Sequence, residues 1–164
     1  MPTTASMPIA SSALISSRVV MPPAAVILRS VAFATAVIAA LEARGLEVIP
    51  AFASGLDARP AIDQYFMENG RSRIDALVSL TGFSLVGGPA YNDAKAAEDV
   101  LATLDVPYLV AHPVEFQTLD QWGGSSRGLL PVESTIMVAI PELDGATGSM
   151  VFGGRGSATH IACT

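Results

Sequence analysis

Cysteine is almost absent from the 164-residue chain, which contains only Cys163. A single cysteine cannot form an intrachain disulfide, and it excludes a zinc site built from several thiolates. Lysine is equally scarce, since Lys95 is the only one, and nine basic residues stand against fifteen acidic ones for a formal net charge of −6. Because a phosphate backbone repels a surface of that sign, the composition argues against a nucleic-acid partner.

Charged residues of either sign are few, at 15% of the chain, whereas 51% of the residues are hydrophobic and the mean hydropathy is +0.48. Intrinsically disordered chains have the opposite composition. The sequence therefore predicts a folded, rather apolar domain with a core of its own, or a piece of a larger protein of that kind. We expect it to be cytoplasmic.

Acidic residues are missing from the chain before Glu42. A targeting peptide has this acid-poor, serine-rich composition, and the apolar stretch 24–41 has about the minimum length of a membrane-spanning helix. The favoured interpretation is a disordered start, residues 1–25, that leads into a buried strand and an alanine-rich helix. Arg29 interrupts the apolar stretch and alanine is only weakly apolar, so we expect no membrane span.

Short apolar runs then alternate with capped segments of helical composition. The pattern predicts strands at 46–52, 74–80, 106–111 and 150–152, and helices at 34–44, 58–68, 94–104 and 131–140. Expected helix N-caps are Asp57 and either Asn92 or Asp93. Continuous apolar strands that alternate with helices indicate a parallel sheet covered on both faces, a three-layer α/β fold of the Rossmann or flavodoxin type. We expect the first three strands to be neighbours in space.

Ligands of such sheets bind at the loops that follow the carboxyl ends of the strands. The expected loops are 53–57, 81–93, 112–128 and 153–157. Residues 82–89 have the glycine spacing of a phosphate-binding P-loop, but Gly88 and Pro89 stand where that motif needs Lys and Ser or Thr. The glycine-rich stretch 153–157 is not followed by a helix of useful length, which a dinucleotide site requires. We therefore expect no nucleotide site in this chain.

Groups able to bind metal or move protons follow the third strand and the last helix. His112 and Glu115 belong to the first set, and Glu142 and Asp144 lie in the second, within the sequence PELDG. Imidazole and carboxylates suit both divalent-metal binding and acid–base work. Two simpler interpretations stay open: a buried loop histidine with a satisfied hydrogen bond, and a turn in which Gly145 takes a positive φ.

The chain resembles the porphyrin-binding large (H) subunits of magnesium chelatase of the bacteriochlorophyll type and, more distantly, the large subunits of cobaltochelatase. The resemblance covers roughly residues 37–155. Its most diagnostic blocks are SLTGF, FQTLDQW, GLLPVE and VAIPELDG. We expect the domain itself to span residues 26–155, with residues 156–164 an unmatched tail.

The resemblance implies a fragment of an enzyme that inserts Mg²⁺ into protoporphyrin IX during bacteriochlorophyll or chlorophyll biosynthesis. The expected partners are the remainder of the large subunit and two smaller motor subunits, which hydrolyse ATP, so that the fragment alone is inactive. By residue type and loop position, the catalytic candidates are Glu115 and Glu142. The porphyrin-site candidates are His112, Gln117, Trp122 and Asp144, and the metal candidates are His112, Glu115 and Asp144. The alternative function is a non-enzymatic, flavodoxin-like module that binds a small ligand or another subunit.

Overall fold

The computed structural model of the protein describes residues 23–28, 31–53, 55–88, 90–156 and 161–163. Its strands are β1 (Pro23–Leu28), β2 (Glu47–Phe52), β3 (Met67–Glu68), β4 (Arg71–Ser72), β5 (Ala76–Ser79), β6 (Gly87–Gly88), β7 (Tyr91–Asn92), β8 (Tyr108–Thr118), β9 (Met150–Arg155) and β10 (Ile161–Cys163). Its helices are α1 (Val31–Glu42), α2 (Arg59–Tyr65), α3 (Ala94–Leu104), α4 (Leu119–Gly123), α5 (Pro131–Glu133) and α6 (Ile140–Asp144). A π-helical segment, Ser134–Ala139, joins α5 to α6, and we call the continuous stretch from α5 through α6 the composite helix.

Six strands form one sheet in the order β10–β9–β8–β5–β1–β2. The five strands from β9 to β2 in that order run parallel, whereas β10 pairs antiparallel with β9. Helices cover the sheet on both faces, and the predicted three-layer α/β fold is confirmed.

Strand β1 lies in the interior of the sheet, with Val26 opposite Pro50 of β2 on one side and Val78 of β5 on the other. The expectation that the strands at 46–52 and 74–80 are direct neighbours is therefore wrong, whereas those at 74–80 and 106–111 do pair. The side chains from Ala24 to Ile27 are buried, as a parallel strand covered on both faces requires. Of the expected disordered start, residues 1–22 lie outside the described residues. Among the described residues no helix has the length and hydropathy needed to cross a bilayer.

Two apolar layers flank the sheet. On one face, α1 packs Ala34, Ile38 and Leu41 against Val26 and Val78. On the other, α2 and α3 bury side chains against β1, β5 and β8, in a larger cluster that includes Ala25, Ile27, Ile62, Phe66, Leu77, Ala97 and Leu104. The cap of α3 is the predicted one, because the Asp93 side chain accepts a hydrogen bond from the N–H of Ala96. The face under α2 and α3 also carries the polar groups described below.

Helix α2 ends earlier than expected, at Tyr65 rather than Glu68. Met67–Glu68 and Arg71–Ser72 instead form a hairpin around Asn69 and Gly70, whose φ values are 52° and 73°. Asn-Gly is the preferred pair for the tight hairpin turn in which both central residues have positive φ. The dipeptide therefore marked a hairpin rather than a helix end.

Strand β8 is longer than the predicted 106–111 and continues to Thr118. His112, Glu115 and Gln117 therefore lie on a strand and not in the expected loop 112–128. The same correction applies to the glycine-rich stretch at 153–155, which belongs to β9. Each strand gains its extra length by pairing with the other, from Ala111 opposite Met150 to Thr118 opposite Arg155.

The composite helix extends past the expected end at residue 140 and includes most of PELDG. Only Gly145, with φ 112°, lies outside it as the left-handed C-cap, so the predicted turn is reduced to its last residue. The N–H of Ile140 donates to the carbonyl of Thr135, five residues back. Pro141 follows directly, and because proline has no N–H and its ring crowds the carbonyl four residues before it, regular α-helical bonding is interrupted there. This accounts for a π segment immediately before Pro141.

We expect Gly87→Ala to destabilise the chain by about 3 kcal/mol. Gly87 has φ 126°, and an added Cβ would overlap the Tyr91 carbonyl oxygen and the Asn92 Cα, which are backbone atoms that cannot turn aside. Gly123→Ala is the matched control, since a Cβ at Gly123 meets nothing within 4 Å, and it should change stability by less than about 0.5 kcal/mol. Urea unfolding measures both, and equal midpoints for the two variants would contradict the packing of β6 against β7.

Candidate functional site

The composite helix carries a carboxylate with no exposed surface, Glu133. Its Oε1 accepts the N–H of Phe116 at 3.2 Å, and its Oε2 accepts the N–H of Leu130 at 3.0 Å and the Gln117 side-chain amide at 2.6 Å. A buried charge is tolerable only when such donors replace its hydration. Glu133 thus joins the first turn of the composite helix to the carboxyl-terminal part of β8.

Gln117 extends this network to the loop before the composite helix. It is buried, and its Nε2 donates both to Glu133 and, at 3.3 Å, to the carbonyl of Gly128. The sequence-predicted porphyrin-site residue Gln117 therefore supports the site from within and does not face solvent.

Asp144 anchors the other end of the composite helix. It is only 2% exposed, and its carboxylate accepts the Ser84 hydroxyl at 3.0 Å and the N–H of Leu85 at 2.8 Å. Burial raises the pKa of Asp144, and these two hydrogen bonds oppose the rise. The side chain does not form the local turn expected of it, because its partners lie about sixty positions away, in the loop that follows β5.

His112 lies on β8 between these two anchors and is 1% exposed. Its Nδ1 is 3.5 Å from the Pro113 carbonyl, and its Nε2 has no hydrogen-bond partner among the described residues. Burial lowers the pKa of His112, although the Pro113 carbonyl and the charge of Glu133 act in the opposite direction. The interpretation of His112 as a buried histidine is confirmed, but its hydrogen bonding is incomplete in the part of the chain that is described.

Tyr108, at the start of β8, is a second buried polar group on the same face. Its hydroxyl has no hydrogen-bond partner in the described part of the chain. Burial raises the pKa of Tyr108, and the nearby charge of Asp144 adds to the rise. Tyr108 and Asp144 are thus electrostatically coupled inside the apolar layer.

The two catalytic candidates from the sequence, Glu115 and Glu142, are both exposed. Glu115 precedes Phe116, next to the start of the composite helix, whereas Glu142 lies nine residues after Glu133, roughly 13 Å along the helix axis. The structure does not bring them together. Trp122 lies on α4, directly after β8, and is half-buried.

The proposed metal ligands His112, Glu115 and Asp144 do not form a cluster. Within the described ranges, no group of three or more His, Cys, Asp or Glu side chains could hold a metal ion. His112 and Asp144 are enclosed under the composite helix, whereas Glu115 faces outward on the strand. The three side chains are therefore separate groups and not parts of one preformed metal cage.

Sequence reasoning missed Glu133, Ser84 and Tyr108. A signal for Glu133 was present in GLLPVE, because a glutamate in the first turn of a helix often reaches back to the N–H at the helix start, as Glu133 does to Leu130. No local pattern marks Ser84 or Tyr108, since their importance comes only from packing against Asp144.

A family model described as CobN/Magnesium Chelatase matches residues 17–163 of the chain. This span is wider at both ends than the domain expected from the sequence, 26–155.

Curated relatives give the same result in finer detail. The chain is 63% identical over 120 residues to the magnesium-chelatase large (H) subunit of Cereibacter sphaeroides and 58% identical over 120 residues to that of Rhodobacter capsulatus, in each case 73% of this chain and 10% of the relative. It is 49% identical over 122 residues to the chloroplastic magnesium-chelatase subunit ChlH of Oryza sativa subsp. indica, 73% of this chain and 9% of the relative. The chain therefore spans about a tenth of the length of the relatives it matches.

We expect Glu133→Gln to destabilise the chain by about 2–3 kcal/mol. Its amide group would have to face one of the three donors that the carboxylate now accepts, leaving that donor buried without a partner. Glu42→Gln is the control, because Glu42 is exposed on α1, and it should cost less than about 0.5 kcal/mol. Chemical unfolding measures both variants, and a Glu133→Gln value as small as the control value would show that the buried network contributes little.

We expect stability to fall as the pH falls below about 6.5, because the lowered pKa of His112 means that the unfolded chain binds a proton more readily than the folded one. The slope for one histidine is at most about 1.4 kcal/mol per pH unit. His112→Gln should flatten the stability profile between about pH 5.5 and 7.5, whatever its effect on absolute stability. His160→Gln, which removes the other histidine, is the comparison, and a profile flattened by that change alone would assign the effect to the wrong residue.

Proposed function

The chain belongs to the CobN/magnesium chelatase family, and we propose that it forms part of the porphyrin site of a magnesium chelatase large subunit, the enzyme component that receives Mg²⁺ and protoporphyrin IX. The observation that carries this proposal is the 63% identity to a magnesium-chelatase large (H) subunit over 73% of the chain. The same observation disfavours the alternative of a non-enzymatic, flavodoxin-like module.

The reaction we propose requires two kinds of help from the protein. Two pyrrole protons must leave the ring, which calls for a base, and Mg²⁺ must give up tightly held water, which calls for oxygen ligands. Glu115 and Glu142 are exposed carboxylates at the two ends of the composite helix and are free to meet an incoming ring or hydrated ion. We assign proton removal to them.

The buried candidates have a different role in this proposal. His112, Gln117 and Asp144 are enclosed, so we assign them to holding β8 and the composite helix in place beneath the ring, while half-buried Trp122 borders the site. Metal delivery falls to the exposed carboxylates, because His112 and Asp144 are not grouped with Glu115 in the described part of the chain.

We further propose that the chain works only with the remainder of the large subunit and with two smaller motor subunits, which bind and hydrolyse ATP. A segment that spans about a tenth of its relatives cannot enclose a porphyrin alone, so we expect no metal insertion by the isolated chain. A cytoplasmic location, in (bacterio)chlorophyll biosynthesis, completes the proposal.

The test uses a full-length Cereibacter sphaeroides large subunit in which this chain replaces the homologous segment. We expect Glu142→Gln or Glu115→Gln to lower Mg²⁺ insertion by about 10²-fold while porphyrin affinity stays near the parental value, because the shape is kept and the charge is lost. Glu42→Gln, on the exposed face of α1, is the matched control and should insert Mg²⁺ at the parental rate. If both site variants also do so, these carboxylates are not bases in the reaction.

A further inference from the structure

Three apolar side chains next to the Glu133 network are exposed to an unusual degree. Phe116 is 52% exposed, Leu130 39% and Val132 42%. They lie together because the Glu133 carboxylate accepts the N–H groups of both Phe116 and Leu130, and Val132 precedes Glu133 in the chain. We call these three side chains the Phe116 patch. Contiguous exposed apolar surface of this kind marks an interaction site more often than isolated hydrophobic residues do.

The backbone beneath the patch is fixed by the same network. Glu133 and Gln117 connect β8, the loop ending at Gly128 and the first turn of the composite helix through four hydrogen bonds. The patch is therefore presented on a supported surface, which reduces the ordering cost of binding a rigid ligand.

Two arginines flank the patch. Arg127 precedes Gly128, whose carbonyl accepts the Gln117 amide, and Arg155 is in register with Thr118, two residues beyond Phe116. Both are exposed, and neither side chain has an ion pair or hydrogen bond within the described part of the chain. By contrast, Arg59 and Lys95 are paired with carboxylates. In a chain of net charge −6, unpaired cations on either side of an apolar surface indicate an anionic ligand with an apolar body.

We propose that the Phe116 patch receives one face of the tetrapyrrole ring and that Arg127 and Arg155 bind the ring's carboxylates. This rests on the proposed function and specifies which surface takes the substrate. A porphyrin is a flat apolar ring with two propionate groups, and it matches an apolar surface flanked by two cations. A covering segment of protein would be satisfied by the apolar side chains alone, and the flanking arginines therefore favour the dicarboxylate ring.

The chain offers a built-in reporter for the test. Trp122, its single tryptophan, lies on α4 immediately after β8. Deuteroporphyrin IX, a more soluble dicarboxylate porphyrin, is titrated into the 164-residue chain while Trp122 emission and porphyrin absorbance are followed. Deuteroporphyrin dimethyl ester, which has the same ring and no free carboxylate, is titrated in parallel.

We expect Arg127→Gln/Arg155→Gln to weaken binding of the diacid about tenfold and to leave binding of the dimethyl ester within about twofold. Phe116→Ala should weaken both ligands, because it removes apolar contact rather than charge. Arg71→Gln/Arg73→Gln is the control: it makes the same change in net charge at two exposed arginines, in and directly after the β3–β4 hairpin, and should leave both affinities unchanged. Circular dichroism checks that every variant is folded.

Three results overturn the inference. Equal weakening by the two arginine pairs reduces the effect to overall charge. Parental binding by all variants places the ring elsewhere on the chain and leaves the proposed function intact. No binding by the parental chain makes the Phe116 patch a surface covered by another part of the longer protein, and the proposed function is then judged independently by metal insertion in the full-length subunit.

Discussion

The carboxylate of Glu133 has no contact with solvent, and the architecture around the site depends on how that charge is satisfied. Three donors must converge on two oxygens: two backbone N–H groups and one side-chain amide, from β8 and the residue before α5. An ion removed from water without such donors would be strongly destabilising. The end of β8 and the start of the composite helix are therefore held in one arrangement, which in turn exposes Phe116 and buries Gln117.

A second buried carboxylate, Asp144, acts at the far end of the same helix. It ties the last turn to Ser84 and Leu85 in the loop after β5, so the composite helix is held to the sheet side of the protein at both ends. The π segment between the two anchors accommodates Pro141, which cannot donate a backbone hydrogen bond. Two fixed ends leave the helix little freedom to change its register, and this suits a surface on which carboxylates must be positioned.

Burial divides the polar residues of the site into two groups with different roles. Glu133, Asp144, His112 and Gln117 are enclosed and act on the shape of the site. Glu115 and Glu142 are exposed and are the groups that a substrate could reach. A metal-insertion reaction needs both, because the geometry must persist while protons and hydrated metal move.

Local sequence determined the elements and the family. Apolar runs at β2, β5 and β8 predicted buried parallel strands, Asp93 predicted the cap of α3, and blocks such as VAIPELDG carried the resemblance that the comparisons confirmed. These are properties of neighbouring residues, and short-range chemistry is enough to encode them. The tertiary structure alone decided that β1 lies between β2 and β5, and that Glu133 meets Phe116 and Asp144 meets Ser84. Such pairings join residues 17 and 60 positions apart, and no local pattern specifies which distant donor will satisfy a buried charge.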